Sequence, residues 1–400
     1  MIRNGVAASP QYGLGAQTDV FSIGTNGQLN VSWVVQAGTW NGPGGIGPAG
    51  VFPAGAAVAA SNQYGLPNQT DAFAIGNNGQ LQVCWVLDAG AWSGPGGIGP
   101  AGVYPPGAAL AASPQYGLGA QTDVFAVANN GQLQVSWVVH AGAWSGPGGM
   151  GPAGVFPPGA AVAASPQYGV PNQTDVFAIG NNGQLHVFWV EGGGTWNGPV
   201  GLGPVGLFPP GAALTASNQY GVPNQTDVFA IGDNGQLQVF WVEGGGAWSG
   251  PGGIGPAGVF PPGTGVAASP QYGVPNQTDV FAIGDNGQLH VAWVVGGGAW
   301  NGPISLAPPP HIALKAIQND DGRFIEVDGG DFTPNGEVSL AYDFSTGGAP
   351  DTHETGETSA SADGGGALTA TIKVNLPEIA EAGVKATDVA TNRSATGTLG

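Results

Sequence analysis

An internal repeat of 52 residues constrains this chain more than any other feature. The tripeptide Gln-Tyr-Gly begins at Gln11 and recurs five more times at that spacing. The 12 tryptophans follow the same period in two series, which run from Trp33 to Trp293 and from Trp40 to Trp300. Repeats of this length are supersecondary units that bury their apolar faces against their neighbours, so the sequence predicts a repeat architecture.

Each copy contains four strand-like segments separated by turn signals. In the fourth copy these are Ala161–Ser165, Gln173–Ile179, Gln184–Val190 and Thr195–Pro199. The pair Asn182-Gly183 predicts a hairpin turn, because Asn-Gly adopts positive φ at little cost. Helical periodicity is absent from the copies, and four short strands per repeat of 40–50 residues are typical of propeller blades. The sequence therefore predicts an all-β fold with a six-bladed β-propeller.

Comparison of the six copies separates the core from the surface. Leu185, Val187 and Trp189 lie on one face of a strand, and the equivalent positions are Leu, Val and Trp in every copy. On the opposite face, Phe188 is replaced by Ser, Cys or Ala in other copies. We expect the invariant face to pack between adjacent blades, which assigns the first tryptophan of each copy to the core.

The composition changes after Pro310, where lysines appear and tryptophan disappears. Four further segments have strand character: Phe324–Val327, Glu337–Tyr342, Ala367–Val374 and Gly383–Asp388. They predict a small β-sandwich over residues 307–400, which follows the propeller over residues 1–306.

The charge distribution excludes several classes of partner. The formal net charge is −19, and no Lys or Arg lies between Asn4 and Leu314. A surface without cations cannot neutralise phosphates, which excludes nucleic acid. No signal peptide or membrane-spanning segment is visible, so no membrane insertion is expected and the compartment stays unknown. Action outside the cell or at its surface is the expectation.

Candidate catalytic and metal-binding groups are few. The single cysteine, Cys84, excludes a disulfide framework and a cysteine metal site. Each copy has one acid at the position of Asp175, whereas glycoside hydrolysis needs a pair of carboxylates. His186 occupies a position that holds Asn or Gln in four other copies. We therefore expect no enzyme, no cofactor and no metal.

The remaining repeated residues are aromatic or neutral and polar, which suits neutral sugars. A sugar offers C–H groups to an aromatic ring and hydroxyls to amides, and it needs no cation. The second tryptophan of each copy precedes a Gly-Pro turn, which places it near a rim. The candidate carbohydrate-binding residues are these tryptophans, the tyrosines of Gln-Tyr-Gly and four glutamines: Trp40, Trp92, Trp144, Trp196, Trp248, Trp300, Tyr12, Tyr64, Tyr116, Tyr168, Tyr220, Tyr272, Gln69, Gln173, Gln225 and Gln277.

The repeat resembles a known family. The pattern Asp-Val-Phe-Ala-Ile-Gly-x-Asn-Gly-Gln-Leu-x-Val-x-Trp-Val, followed by Gly-x-Trp-x-Gly-Pro, is similar to that of the bacterial PLL-type β-propeller lectins over residues 5–306. The resemblance implies one blade per repeat, no catalysis, and binding of fucose or O-methylated sugars in clefts between blades. That family typically has seven blades, whereas this chain has six repeats. The tail segment Val327–Gly336 resembles immunoglobulin-like accessory domains of bacterial surface and secreted proteins.

Two alternatives stay open from the sequence. The leading hypothesis is a multivalent lectin for neutral glycans, and the alternative is a structural or protein-binding scaffold in which every repeated tryptophan is buried. An incomplete ring that closes by oligomerisation is the rival to a closed propeller. Exposure of Trp196 in a groove distinguishes the two functions.

Overall fold

The computed structural model describes residues 5–306, 310–347, 350–390 and 393–399. These residues form strands and turns, and no helix among them has the length and apolarity to cross a membrane. Residues 307–309, where the sequence places the domain boundary, lie outside the described residues, as do residues 1–4.

Six sheets of four antiparallel strands follow one another along the chain, one sheet per repeat. This confirms the predicted six-bladed architecture. The strands are β1 Val6–Pro10, β2 Gln17–Ile23, β3 Leu29–Val35 and β4 Asn41–Ile46 in blade 1; β5 Ala59–Asn62, β6 Gln69–Ile75, β7 Leu81–Leu87 and β8 Ser93–Ile98 in blade 2; β9 Leu110–Pro114, β10 Gln121–Val127, β11 Leu133–Val139 and β12 Ser145–Met150 in blade 3; β13 Val162–Pro166, β14 Gln173–Ile179, β15 Leu185–Glu191 and β16 Asn197–Leu202 in blade 4; β17 Leu214–Asn218, β18 Gln225–Ile231, β19 Leu237–Glu243 and β20 Ser249–Ile254 in blade 5; and β21 Val266–Pro270, β22 Gln277–Ile283, β23 Leu289–Val295 and β24 Asn301–Ser305 in blade 6.

The turn between β14 and β15 shows why the repeat folds this way. Gly183 has a φ of 68°, and the side-chain oxygen of Asn182 accepts a hydrogen bond of 3.1 Å from the backbone N–H of Gln184. The fourth strand of the blade starts later than predicted, at Asn197, because Asn197 is the residue that pairs with Trp189 across a register shift.

Neighbouring blades pack face to face. One face of blade 4 is buried against Val228 and Ala230 of blade 5. This face carries Phe177, Leu185 and Val187. Equivalent apolar clusters join blades 1 and 2, 2 and 3, 3 and 4, and 5 and 6. The first strands of successive blades lie side by side along this series. The predicted burial of the invariant Leu and Val positions between blades is confirmed in blades 1 to 5, whereas Leu289 of blade 6 is 41% exposed.

The C-terminal residues form two antiparallel sheets. The strands are β25 His311–Asn319, β26 Gly322–Gly330, β27 Glu337–Ser345, β28 His353–Ser361, β29 Leu368–Val374, β30 Glu381–Asp388 and β31 Ser394–Leu399. One sheet has the order β25-β26-β29 and the other β28-β27-β30-β31. Both contribute to one apolar core, which includes Ile325, Leu340, Phe344 and Val384. The likeness to immunoglobulin-like domains stays a prediction.

Sequence reasoning missed three strands of this region, β25, β28 and β31. The segment His353–Ser361 is rich in Thr, Ser, Glu and Gly, so it lacks the β-branched and aromatic runs that mark a strand.

The chain divides into two compact units between Ile304 and Ser305, and Ile283–His290 groups with the second.

Candidate functional site in the clefts between blades

Two clefts of about 380 and 400 Å³ lie between blades 1 and 2 and between blades 2 and 3. These volumes fall within the range of small-molecule binding sites. In the 1–2 cleft, blade 1 contributes Gln11, Leu14, Gln17, Asp19, Val31, Trp33, Gly44, Gly45 and Ile46, and blade 2 contributes Ala89, Gly90 and Trp92. The 2–3 cleft uses the corresponding residues except Asp71, so each cleft is built from one blade and from the segment between the third and fourth strands of the next.

The second tryptophan of a repeat packs against the blade that precedes it. The ring of Trp92 meets Phe21 of blade 1 edge to face, with centroids 5.4 Å apart. The same pairing recurs in Phe73–Trp144, Phe125–Trp196, Phe177–Trp248 and Phe229–Trp300. These five indoles are half-buried, which holds them rigid. Among the described residues Trp40 has no phenylalanine partner of this kind, and it is 55% exposed.

The first tryptophan of each repeat is also part of the cleft, which corrects its assignment to the core. Trp33 and Trp85 line the 1–2 and 2–3 clefts, and all six residues of this series are half-buried. Glycine on the fourth strand leaves the ring uncovered, since a Cβ at Gly96 would lie 3.4 Å from Trp85 Cζ3. The Gly-Gly pair after the Gly-Pro turn is the sequence signal that could have revealed this.

A chain of hydrogen bonds fixes the amide of the cleft. In the 2–3 cleft, Gln69 Nε2 donates to Gln63 Oε1 at 2.7 Å and to Asp71 Oδ1 at 2.8 Å. Gln63 Nε2 donates to the backbone oxygen of His140 in blade 3 at 2.6 Å, which ties the two blades together. Both amide hydrogens of Gln69 are therefore used, and its carbonyl oxygen is the acceptor that it can offer a ligand.

The four predicted glutamines all belong to this network. Gln69 lines the 2–3 cleft, and Gln173, Gln225 and Gln277 make the same bond to the carboxylate two residues on. The prediction omitted Gln17 and Gln121, which make the equivalent bonds in blades 1 and 3. Those copies lack the Asn of the Asn-Gln-Thr-Asp sequence, but the shorter Gln-Thr-Asp signal is present in all six.

The carboxyl of each network is buried. Asp71, Asp123, Asp175 and Asp227 are fully shielded, and their Oδ2 atoms have no hydrogen-bond partner. Burial raises the pKa of each of these four carboxyls to about 7, although the glutamine bond acts in the opposite direction. These groups therefore hold the glutamine in place and are partly protonated near neutral pH.

The predicted tyrosines lie elsewhere. Tyr12 lines a separate hollow with Pro10 and Gln36, and its backbone N–H donates to Thr70 Oγ1 of blade 2 at 2.8 Å. Burial, with a smaller contribution from Tyr64 and Tyr168 of the adjoining blades, raises the pKa of the Tyr116 phenol to about 12. Five of the six tyrosines are half-buried, and Tyr272 is 90% exposed.

Metal-binding and nucleophilic groups are not assembled in the described part of the chain. No cluster of three or more His, Cys, Asp or Glu side chains there is placed to hold a metal ion. Cys84 is buried on the face of blade 2 that packs against blade 1, and this burial raises the pKa of its thiol to about 12. Desolvation lowers the pKa of His186. What the cleft brings together is two indoles and one fixed amide.

Two solved lectin structures are similar to this chain. No protein-family model and no curated protein matches the chain. The crystal structure of BP39L lectin from Burkholderia pseudomallei is similar at 60% identity and a TM-score of 0.75, over 76% of this chain and 84% of that one. A six-bladed fungal lectin from Aleuria aurantia is 18% identical with a TM-score of 0.48, over 74% of this chain and 93% of that one.

The chain is a non-catalytic β-propeller of the carbohydrate-binding class. It belongs to the family of the Burkholderia lectin, since 76% of this chain matches that lectin at 60% identity.

Proposed function

We propose that each cleft between consecutive blades binds one neutral sugar unit with an apolar face, such as fucose or an O-methylated sugar. The observation that carries this proposal is the pair of half-buried indoles, Trp85 and Trp144, that line one cleft from two different blades. Indole rings present large rigid surfaces to C–H groups, and the fixed carbonyl of Gln69 accepts a hydroxyl hydrogen.

The charge of the site favours a neutral ligand. The described residues of the repeat region carry no Lys or Arg, so an acidic sugar would meet no counter-charge there. The tyrosines follow the cleft glutamines directly in sequence, and we assign them to contacts with further sugar units of a longer glycan.

Repetition makes the protein multivalent. Five aromatic pairs join consecutive blades, so one chain offers up to five clefts. A monosaccharide exchanges water hydrogen bonds for protein ones, so each cleft alone binds weakly. On a glycan-coated surface the second engagement is intramolecular, and avidity rises by about 10²–10⁴-fold. We also propose that the protein acts outside the cell or at its surface and that it forms oligomers.

A glycan array with the full chain tests the proposal. We expect signals from fucosylated or O-methylated neutral glycans and none from glycans recognised only through sialic acid. Calorimetry with methyl α-L-fucopyranoside is expected to show more than one sugar per chain. An array without any bound glycan would favour the scaffold alternative.

A further inference from the structure

The five clefts differ in chemistry, and two of them form a nearly matched pair. At the positions that line the 1–2 cleft, the repeat places Val170, Gln173, Trp189 and Trp248 in the 4–5 cleft, and the 5–6 cleft has the same residue types there. Over the lining positions of the 1–2 cleft, the pair differs at two places. One is a buried Leu202 against a buried Ile254, which have similar volume. The other is Val200 against glycine.

Val200 occupies a position that is glycine in the four other blades that have a cleft in front of them. These glycines lie opposite the third strand at a constant register, as Val83 pairs with Gly96 and Val135 pairs with Gly148. In blade 4 the same register pairs Val187 with Val200. The side chain of Val200 therefore starts where the other blades have only a hydrogen atom.

The glycines show what a side chain at this position meets. A Cβ built on Gly44, Gly96, Gly148 or Gly252 would lie between 3.3 and 3.5 Å from Cζ3 of the first tryptophan of that blade. This is van der Waals contact with the six-membered ring of the indole. Val200 adds two methyl groups beyond that Cβ, at a position that lines the cleft in the other blades. The residue is 44% exposed. By the same geometry, its methyl groups would lie over the edge of the Trp189 ring, which the glycines of the other blades leave open.

We infer that Val200 closes the 4–5 cleft to monosaccharides, so that one chain binds four sugars rather than five. The inference rests on the proposed function. It assigns a specificity-determining role to one residue, because a ligand cannot occupy the volume of the valine methyl groups and stack on the same ring. Val170 and Gly245 do not account for the difference, since the 5–6 cleft also has Val and Gly at these positions and has Gly252 in place of Val200.

Two reciprocal variants of the full chain test this assignment. Val200→Gly opens the 4–5 cleft, and Gly252→Val closes its matched partner. Calorimetry with methyl α-L-fucopyranoside and its 2-O-methyl derivative counts the bound sugars, and crystals soaked with the same probes show which clefts are occupied. We expect four sugars for the unmodified chain, five for Val200→Gly and three for Gly252→Val.

The outcomes separate the two proposals. Unchanged melting temperatures show that both variants fold, and Val200→Gly introduces only the residue that four sister blades carry. Five sugars on the unmodified chain, with no gain in Val200→Gly, overturn the role of Val200 while the clefts remain binding sites. Absence of both probes from all clefts of all three proteins overturns the proposed function, and the role of Val200 with it.

Discussion

Replacing Trp144 by alanine tests the cleft more directly than any other single change. Trp144 is half-buried between blades 2 and 3, and its ring lies 5.5 Å from that of Phe73 at an interplanar angle of 78°. Truncating a fully buried tryptophan costs about 3–5 kcal/mol, and because Trp144 is partly exposed we take about 2 kcal/mol, below that range. The edge-to-face pair contributes about 1 kcal/mol more. We therefore expect Trp144→Ala to lower the free energy of unfolding by about 3 kcal/mol.

Trp40→Ala is the matched control. Trp40 occupies the same position of the repeat in blade 1, but its ring pairs with no phenylalanine of the described residues, and it is 55% exposed. Its replacement is expected to cost less than about 1 kcal/mol, as for surface substitutions in general. The two variants thus remove the same residue type from the same position of the repeat and differ in the blade contact, with Thr and Asn beside Trp40 and Ala and Ser beside Trp144.

The assay combines urea unfolding with calorimetry. Trp144→Ala is expected to lose one bound sugar per chain together with the stability, whereas Trp40→Ala keeps both. Equal losses of stability in the two variants would refute the claim that the contact with the preceding blade holds the second tryptophan. An unchanged number of sugars in Trp144→Ala would refute its place in the binding surface.

Three further predictions follow from the buried groups and from the chemistry of the clefts. The folded pKa of Asp71, Asp123, Asp175 and Asp227 is about 7 against an ordinary value of 3.8, so the stability that these carboxyls contribute is complete below about pH 4 and is lost as the pH rises through 7. The melting temperature should therefore be higher at pH 5 than at pH 8, with a smaller difference in Asp175→Asn; a rise from pH 5 to pH 8 would contradict this sign. Cys84 should react with a thiol reagent only after unfolding, since it is buried and its pKa is raised to about 12, and rapid labelling of the native chain would contradict that burial. Sugar binding should persist in EDTA, because one carboxyl per blade is too few ligands for calcium, and loss of binding in chelator would show a metal-dependent site.

Much of the fold could be predicted because every copy repeats the same turn and strand signals. Asn182-Gly183 marks a turn, and the alternation of Leu185, Val187 and Trp189 marks the buried face, and both signals recur six times. Errors of a single copy are corrected by the other five. The C-terminal strands have no such repetition, and three of the seven escaped prediction because polar, small residues carry weak strand preferences.

The cleft was predicted less completely. The second tryptophans and the glutamines were identified from their polarity and from the Gly-Pro turn, but the first tryptophans were assigned to the core. A period-2 pattern shows which face of a strand a residue shares, and it does not show whether the neighbouring strand covers that residue. Gly96 is what leaves Trp85 open, and its effect appears only when two strands are placed side by side.

The sequence by itself determined the number of blades, their four strands, the neutral character of the repeat and the residue types that a sugar-binding site would use, because these follow from local periodicity and composition. Only the tertiary structure decided which tryptophans share a cleft. Trp85 and Trp144 come from different blades, and the bond from Gln63 to His140 spans 77 residues. Contacts of that kind arise from the packing of one sheet on the next, and a distance between blades is not encoded in the spacing along the chain.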